Sequence, residues 1–183
     1  FDARYELFFN CEHQIKNACV AIAACELLVK KEWNLWAQDI RSGLRGCRWP
    51  GRFQIVRNHP MVILDVAHNE ASVKFLARLL KRFFADRQIV FVFGVLEDKN
   101  VKKMCSILAP LANCFQPVAA QNPRALSAQN VFDCCKRFTP SVLPASTVSK
   151  GIDAAFSIAN EQSVICITGS HYVVGEAIKC LTN

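Results

Sequence analysis

From Phe53 onwards the sequence alternates, and this alternation limits the fold more than any other feature. Short apolar runs take turns with stretches in which apolar residues recur every three or four positions. The runs are Phe53–Val56, Met61–Val66, Ile89–Gly94, Cys114–Ala119 and Val164–Thr168. The first two are joined through Asn58-His59-Pro60, which reads as a hairpin-like turn. The helical stretches begin after Asn69, where Ser72, Phe75, Leu76, Leu79, Leu80 and Phe83 share one side. Asn100–Leu111, Ser127–Phe138, Ser149–Asn160 and Tyr172–Leu181 follow. Strands this apolar need cover on both faces, and strands joined through helices run parallel. The pattern therefore predicts an α/β fold with a doubly wound, mostly parallel sheet.

Upstream the period changes. Glu12–Lys31 reads as one long helix with a broad apolar face at Ile15, Ala18, Cys19, Ile22, Ala23, Leu27 and Leu28, and Trp36–Leu44 as a shorter one. Arg45–Arg52 contains Gly46, Trp49, Pro50 and Gly51 and breaks all periodicity, because proline lacks an N–H donor and glycine adds freedom. A domain boundary is expected there, dividing the chain into residues 1–46 and 47–183.

Composition excludes several classes. A chain of 183 residues with 52% hydrophobic and 20% charged residues can bury a core of one domain plus an appendage. The longest apolar run, Ala18–Val29, is about twelve residues and is broken by Glu26, against the roughly twenty that a bilayer requires. No membrane span is expected. The sequence opens on Phe1 and places Asp2, Arg4 and Glu6 among aromatics, unlike a signal peptide, and reads as an internal cut in a longer protein. The ten cysteines sit singly inside apolar segments or side by side as Cys134-Cys135, with no C-x-x-C pair. They read as reduced thiols of a cytoplasmic protein, with no zinc site and no metal ligands. The net charge of +7 favours anionic partners. Its basic pairs, Lys30-Lys31, Lys81-Arg82 and Lys102-Lys103, are solvated helix faces rather than a nucleic-acid stripe.

In an open parallel sheet, ligands bind outside the carboxyl ends of the strands, where backbone N–H groups of the next helix point outward. Three junctions qualify. Asp65-Val66-Ala67-His68-Asn69 brings a carboxylate, an imidazole and a helix cap together; the carboxylate could accept from a ribose, or all three could serve the local backbone. Thr168-Gly169-Ser170-His171 offers hydroxyls and free N–H groups for a carboxylate or phosphate. At Gly94-Val95-Leu96-Glu97-Asp98-Lys99, Asp98 reads foremost as the cap of the following helix. Arg52, just past Pro50-Gly51, is placed to clamp a phosphate, or is a plain solvated cation. No G-x-x-x-x-G-K-[ST] loop occurs, so the chain builds no P-loop of its own.

Trp49-Pro50-Gly51-Arg52-Phe53-Gln54-Ile55-Val56, followed by Ile63-Leu64-Asp65-Val66-Ala67-His68-Asn69, resembles the bifunctional dihydrofolate synthase/folylpolyglutamate synthase family. His13-Gln14 with Asn17-Ala18, Gly94 through Asp98-Lys99, Pro123-Arg124-Ala125 and Gly169-Ser170-His171-Tyr172 add to it, in family order over nearly the whole chain. His171-Tyr172 departs from the commoner pairing after Gly-Ser. The family belongs with the Mur ligases, so the resemblance implies a Rossmann-like ligase domain preceded by a short helical remnant of a P-loop ATPase domain. It implies an ATP-dependent ligase, using Mg2+, that adds L-glutamate to dihydropteroate or a folate through an acyl phosphate. It also implies a cytoplasmic monomer that works with the upstream ATPase domain, where the phosphate loop, metal ligands and pterin pocket would lie.

By the same resemblance Asn17 is the adenine contact, Arg52 reaches the ATP phosphates, and Asp65 is a ribose or hinge contact. His68 and Ser170 line the glutamate and acyl-phosphate side. Two other readings remain at this point: a cell-wall ligase of the same superfamily, and a non-catalytic anion- or nucleotide-binding module. The module requires residues 1–46 to be self-contained, whereas the ligase leaves apolar faces on them open.

Overall fold

The computed structural model describes residues 4–6, 12–47 and 49–182. It separates into two compact units, Phe1–Trp49 and Pro50–Asn183.

The first unit contains helices α1 (Glu12–Lys30) and α2 (Ala37–Gly46). The Asp39 carboxylate accepts from the Trp36 N–H at 2.8 Å and so ties off the start of α2. The broad buried face expected on α1 is not buried. Ala18 and Ile40 are the unit's buried hydrophobic residues among those described, while Ile15, Val20 and Leu27 are 49%, 70% and 60% exposed. Trp33 and Trp36 are exposed as well. The described residues of this unit thus leave most of their apolar surface open and do not close a core of their own.

The second unit carries a six-stranded sheet. Its strands are β1 (Gln54–Asn58), β2 (Met61–Asp65), β3 (Ile89–Phe93), β4 (Ala112–Ala119), β5 (Ser146–Thr147) and β6 (Val164–Thr168). Its helices are α3 (Glu70–Phe84), α4 (Val101–Leu108), α5 (Ala128–Cys135), α6 (Val148–Ile158) and α7 (His171–Thr182). The strand order is β1-β2-β6-β3-β4-β5. Only β1, the edge hairpin partner of β2, runs antiparallel.

Alternate side chains of each strand feed opposite faces, as the pleat requires. Ile63, Phe91, Phe93, Phe115 and Cys166 pack against Val73, Leu76 and Leu80 of α3, Met104 and Leu108 of α4, and Val131 of α5. Val62, Leu64, Val90, Val92, Ile165 and Ile167 pack against Ile152 and Ala155 of α6 and Val173, Val174 and Ala177 of α7. The sheet is thus wound on both faces, as its apolar strands foretold.

Four details differ from the sequence reading. The inner stripe of α3 is Val73, Leu76 and Leu80, so of the expected side Leu76 and Leu80 face inward while Ser72, Phe75, Leu79 and Phe83 do not, and Val73 joins them. Ser72 is occupied by the helix cap instead, and Phe83 lies outside, 6.4 Å from the Phe53 ring. Asp98 does not cap α4: Asn100 does, accepting from the Lys103 N–H, and Asp98 pairs with Lys99. The helix expected to reach Leu111 ends at Leu108 and tightens into a 3-10 turn over Ala109–Leu111, because Pro110 offers no N–H. The two-residue strand β5 is polar and too short for any periodicity to reveal.

The buried thiols make a chemical test of this placement. Cys105 and Cys135 meet across α4 and α5, Sγ to Sγ 3.5 Å. That hydrogen bond and burial push the Cys105 thiol far up, burial pushes Cys134 up to about 11, and burial with the charge of Asp65 raises Cys166. Only thiolates alkylate readily. In the native protein, iodoacetamide at mildly alkaline pH is therefore expected to label the exposed Cys19, Cys47 and Cys180 and to spare Cys105, Cys135 and Cys166. Peptide mass mapping checks this, and label on native Cys166 would contradict a central β6.

Candidate functional site

Three strands end level on one rim. Asp65 of β2 pairs with Thr168 of β6, and Thr168 pairs with Phe93 of β3. From this rim α3 leaves β2 toward one face of the sheet and α7 leaves β6 toward the other. Helices leaving neighbouring strands toward opposite faces mark the place where doubly wound sheets bind ligands.

Arg52 reaches the rim on a tightly held turn. The Gly51 carbonyl accepts from the Val66 N–H at 2.8 Å, and the Gly51 N–H donates to Gln54 Oε1 at 2.8 Å. The Phe53 N–H donates to Asp65 Oδ2 at 2.9 Å. Gly51 has φ +72° and is buried; a Cβ there would lie 2.9 Å from methyl carbons of both Val66 and Val174. Only glycine fits. Phe53 takes φ +45°, a strained value for an aromatic residue that its ring contacts with Phe83 and Phe84 help to hold. Arg52 itself is half-buried, and no carboxylate among the described residues forms an ion pair with it.

Asp65 acts as the clasp of this arrangement. Its second oxygen, Oδ1, accepts from the Ala67 N–H at 2.9 Å, so one carboxylate joins the Arg52 turn to the β2–α3 loop. Burial pushes its carboxyl above the ordinary value, while the Phe53 and Ala67 N–H groups and, more weakly, Arg52 and His68 pull it back. Both oxygens are engaged with backbone, yet each keeps a lone pair for a further donor.

His68 is oriented by the same loop. Its Nδ1 lies 2.9 Å from the Val66 carbonyl, which can only accept, so Nδ1 carries the hydrogen and Nε2 is the nitrogen left for a ligand. Its backbone N–H donates to Ser72 Oγ, part of the Asn69–Ser72 cap that starts α3. Ser170 is buried, and its Oγ accepts from the Val173 N–H at 3.1 Å, capping α7. The hydroxyl hydrogen remains available to donate. Thr168 Oγ1 donates to the Ala67 carbonyl at 3.5 Å and ties the β6 end to the β2–α3 loop.

Gly169, φ +111°, and Gly94 close the floor. A Cβ on Gly169 would run into the Gly94 carbonyl, and one on Gly94 into the Val118 carbonyl. Next along the rim the β3–α4 and β4–α5 loops brace each other. The Glu97 N–H donates to the Arg124 carbonyl at 3.0 Å and the Leu126 N–H to the Val95 carbonyl at 2.9 Å.

Of the residues singled out in the sequence, Arg52, Asp65, His68 and Ser170 lie on this rim of the second unit. Asn17 lies in the first unit, exposed on α1, donating to Gln14 Oε1 at 3.3 Å. Sequence reasoning placed His171 in the junction after the last strand but gave it no role of its own. Its ring centroid is 5.0 Å from that of His68. His171 is exposed on the whole; partial desolvation first, and then the charges of His68 and Arg52, hold its pKa below the ordinary imidazole value. The stability linked to His171 is therefore present above the ordinary imidazole range and is lost as pH falls through the depressed value. Among the described residues no group of three or more His, Cys, Asp or Glu is arranged to hold a metal ion. No described helix is long and apolar enough to cross a membrane.

Residues 51–171 match the family model described as Mur ligase, glutamate ligase domain. A dihydrofolate synthase/folylpolyglutamate synthase of Bacillus subtilis is 34% identical over 171 residues, covering 92% of this chain and 39% of that protein. The solved Mycobacterium tuberculosis folylpolyglutamate synthase complexed with ADP superposes with a TM-score of 0.85 at 30% identity, over 97% of this chain and 42% of that one. Escherichia coli FolC in complex with DHPP and ADP gives 0.79 at 26% identity, over 91% and 38%. This chain thus spans about two fifths of these proteins' length. With the matched segment running from the Arg52 turn through the last strand to the start of α7, the chain belongs to the Mur ligase family, by its glutamate ligase domain.

Proposed function

We propose that this chain is part of an ATP-dependent amide ligase that adds L-glutamate to dihydropteroate, to folates or to both. Pro50–Asn183 is its glutamate ligase domain, and the helices before it close an ATPase domain that lies upstream. The observation that carries this reading is the meeting of Arg52, His68 and the Ser170–His171 helix start at one rim, in a domain that matches glutamate ligases over 51–171. The open apolar side of α1 supports the second half, since an upstream sheet would cover it.

The chemistry follows from the groups present. A carboxylate resists attack by an amine until one of its oxygens becomes a leaving group, which phosphorylation by ATP provides. Arg52 is suited to the phosphates: a planar fork that forms no ion pair with a carboxylate among the described residues. Asp65, with lone pairs left on both oxygens, is suited to a ribose hydroxyl. His68, its Nδ1–H committed to Val66, presents Nε2 as an acceptor for the proton that the attacking amine must lose. Ser170 can donate its hydroxyl hydrogen to an oxyanion while it caps α7. Asn17, exposed on α1 of the first unit, is suited to an adenine contact. Mg2+, which such phosphoryl chemistry uses, finds no fitting cluster of ligands among the described residues.

Phosphate release that depends on both ATP and L-glutamate, measured with dihydropteroate or tetrahydrofolate, tests the reading. Activity is expected in the protein extended upstream through its P-loop and not in the 183-residue chain. A folded extended protein with no glutamate-dependent release would refute the ligase assignment.

A further inference from the structure

We propose that His171 is a further binding residue of this site, its imidazole, beside that of His68, donating to a substrate oxyanion that Arg52 also binds. This rests on the ligase reading for the identity of the anion, though not for its presence. Three groups that carry or can gain positive charge gather here from three separate segments. Arg52 comes from the turn before β1, His68 from the β2–α3 loop and His171 from the first position of α7.

The cluster has little negative charge to balance it. His68 and Arg52 are the charged groups that act on His171, and no carboxylate among the described residues does. Asp65, the nearest acidic group to Arg52 and His68, directs its oxygens at the Phe53 and Ala67 N–H groups. A guanidinium beside an imidazole that it hinders from taking up a proton gains from an anion seated between them. The His171 ring is tilted 48° to that of His68 rather than stacked flat on it, the residue is exposed, and no described residue hydrogen-bonds its nitrogens. It also stands beside the first backbone N–H groups of α7, which a helix leaves without partners.

Two oxyanions fit the reaction: the carboxylate of the incoming amino acid and the phosphoryl group of the acyl phosphate. They share their chemistry and differ in what they do to kinetics. A carboxylate contact tightens amino-acid binding, while a phosphoryl contact acts on turnover and ATP use.

The first test needs no activity. The imidazole resonances of the 183-residue chain are titrated against pH by NMR, with and without inorganic phosphate. An anion seated on His171 favours its protonated form, so its midpoint is expected to rise on adding phosphate. A midpoint that stays put would overturn the proposal whatever the enzyme does. The second test uses the extended enzyme with His171→Ala, His171→Gln and His171→Asn; the site is exposed, so the fold tolerates all three. His171→Ala is expected to raise KM for L-glutamate about tenfold with kcat kept, or to lower kcat about tenfold with KM for glutamate kept. The first result assigns the carboxylate and the second the phosphoryl group. Recovery by Gln, whose amide nitrogen overlays Nε2, or by Asn, which overlays Nδ1, identifies the donating nitrogen. Wild-type activity in all three variants would remove His171 from binding and leave the ligase reading intact, whereas an inactive wild-type enzyme would sink that reading alone.

Discussion

Arg52→Ala, made in the protein extended upstream, is expected to lower kcat/KM for ATP by about 10²–10³, or ~3–4 kcal/mol of transition-state stabilisation. The fold should hardly notice. Arg52 makes no ion pair among the described residues, and the turn that carries it is held by backbone groups of Gly51 and Phe53, not by the guanidinium. Thermal midpoints of mutant and parent should therefore agree to within about 2 °C. Arg52→Lys should recover only part of the loss, because a single ammonium cannot engage two phosphate oxygens as a planar fork does. Near-normal kinetics for Arg52→Ala would remove this residue from the mechanism and leave the rigid turn beneath it without a purpose.

Gly169→Ala should do the reverse, damaging the fold before any chemistry is measured. The backbone at Gly169 has φ +111°, outside the range of side-chain-bearing residues, and a Cβ would collide with the backbone carbonyl of Gly94. That carbonyl cannot retreat, since Gly94 is itself pressed against the Val118 carbonyl on the next strand. Together strain and collision should cost about 3–5 kcal/mol, which lowers the thermal midpoint by roughly 10 °C in a domain of this size. Differential scanning calorimetry or thermal circular dichroism reads this directly. A midpoint within about 2 °C of the parent would mean that β3 and β6 do not approach as closely as described.

The strands were legible because they are buried on both faces. Val62–Leu64, Ile89–Phe93 and Val164–Thr168 bury every residue, so each announces itself as an unbroken apolar run. The junctions followed from the strand ends, and Asp65, His68 and Ser170 came with them. What escaped the sequence depends on partners far along the chain. The inner face of α3 is set by which strand residues lie beneath it, and Ser72 could be moved off that face only by knowing the Asn69 cap. Asp98 and Asn100 are both plausible caps two residues apart, and the chain's exit angle from β3 decides between them. The strand-end rule reached His171, but its meeting with His68 depends on β6 lying beside β2, a pairing between residues about one hundred positions apart that no local pattern encodes.

The position of β6 has a consequence for how this domain is made. Its last strand is also a middle one, inserted between β2 and β3. Until residues 164–168 have been synthesised, β2 and β3 have no partner for the edges they later turn toward each other. Those edges are among the most apolar in the chain and would invite pairing with other molecules. A ribosome working at ~5–20 residues per second leaves them open for several seconds after β3 emerges. The sheet therefore closes in one late event rather than strand by strand. A nascent chain stalled before Val164 should be a client for chaperones, however complete its first five strands are.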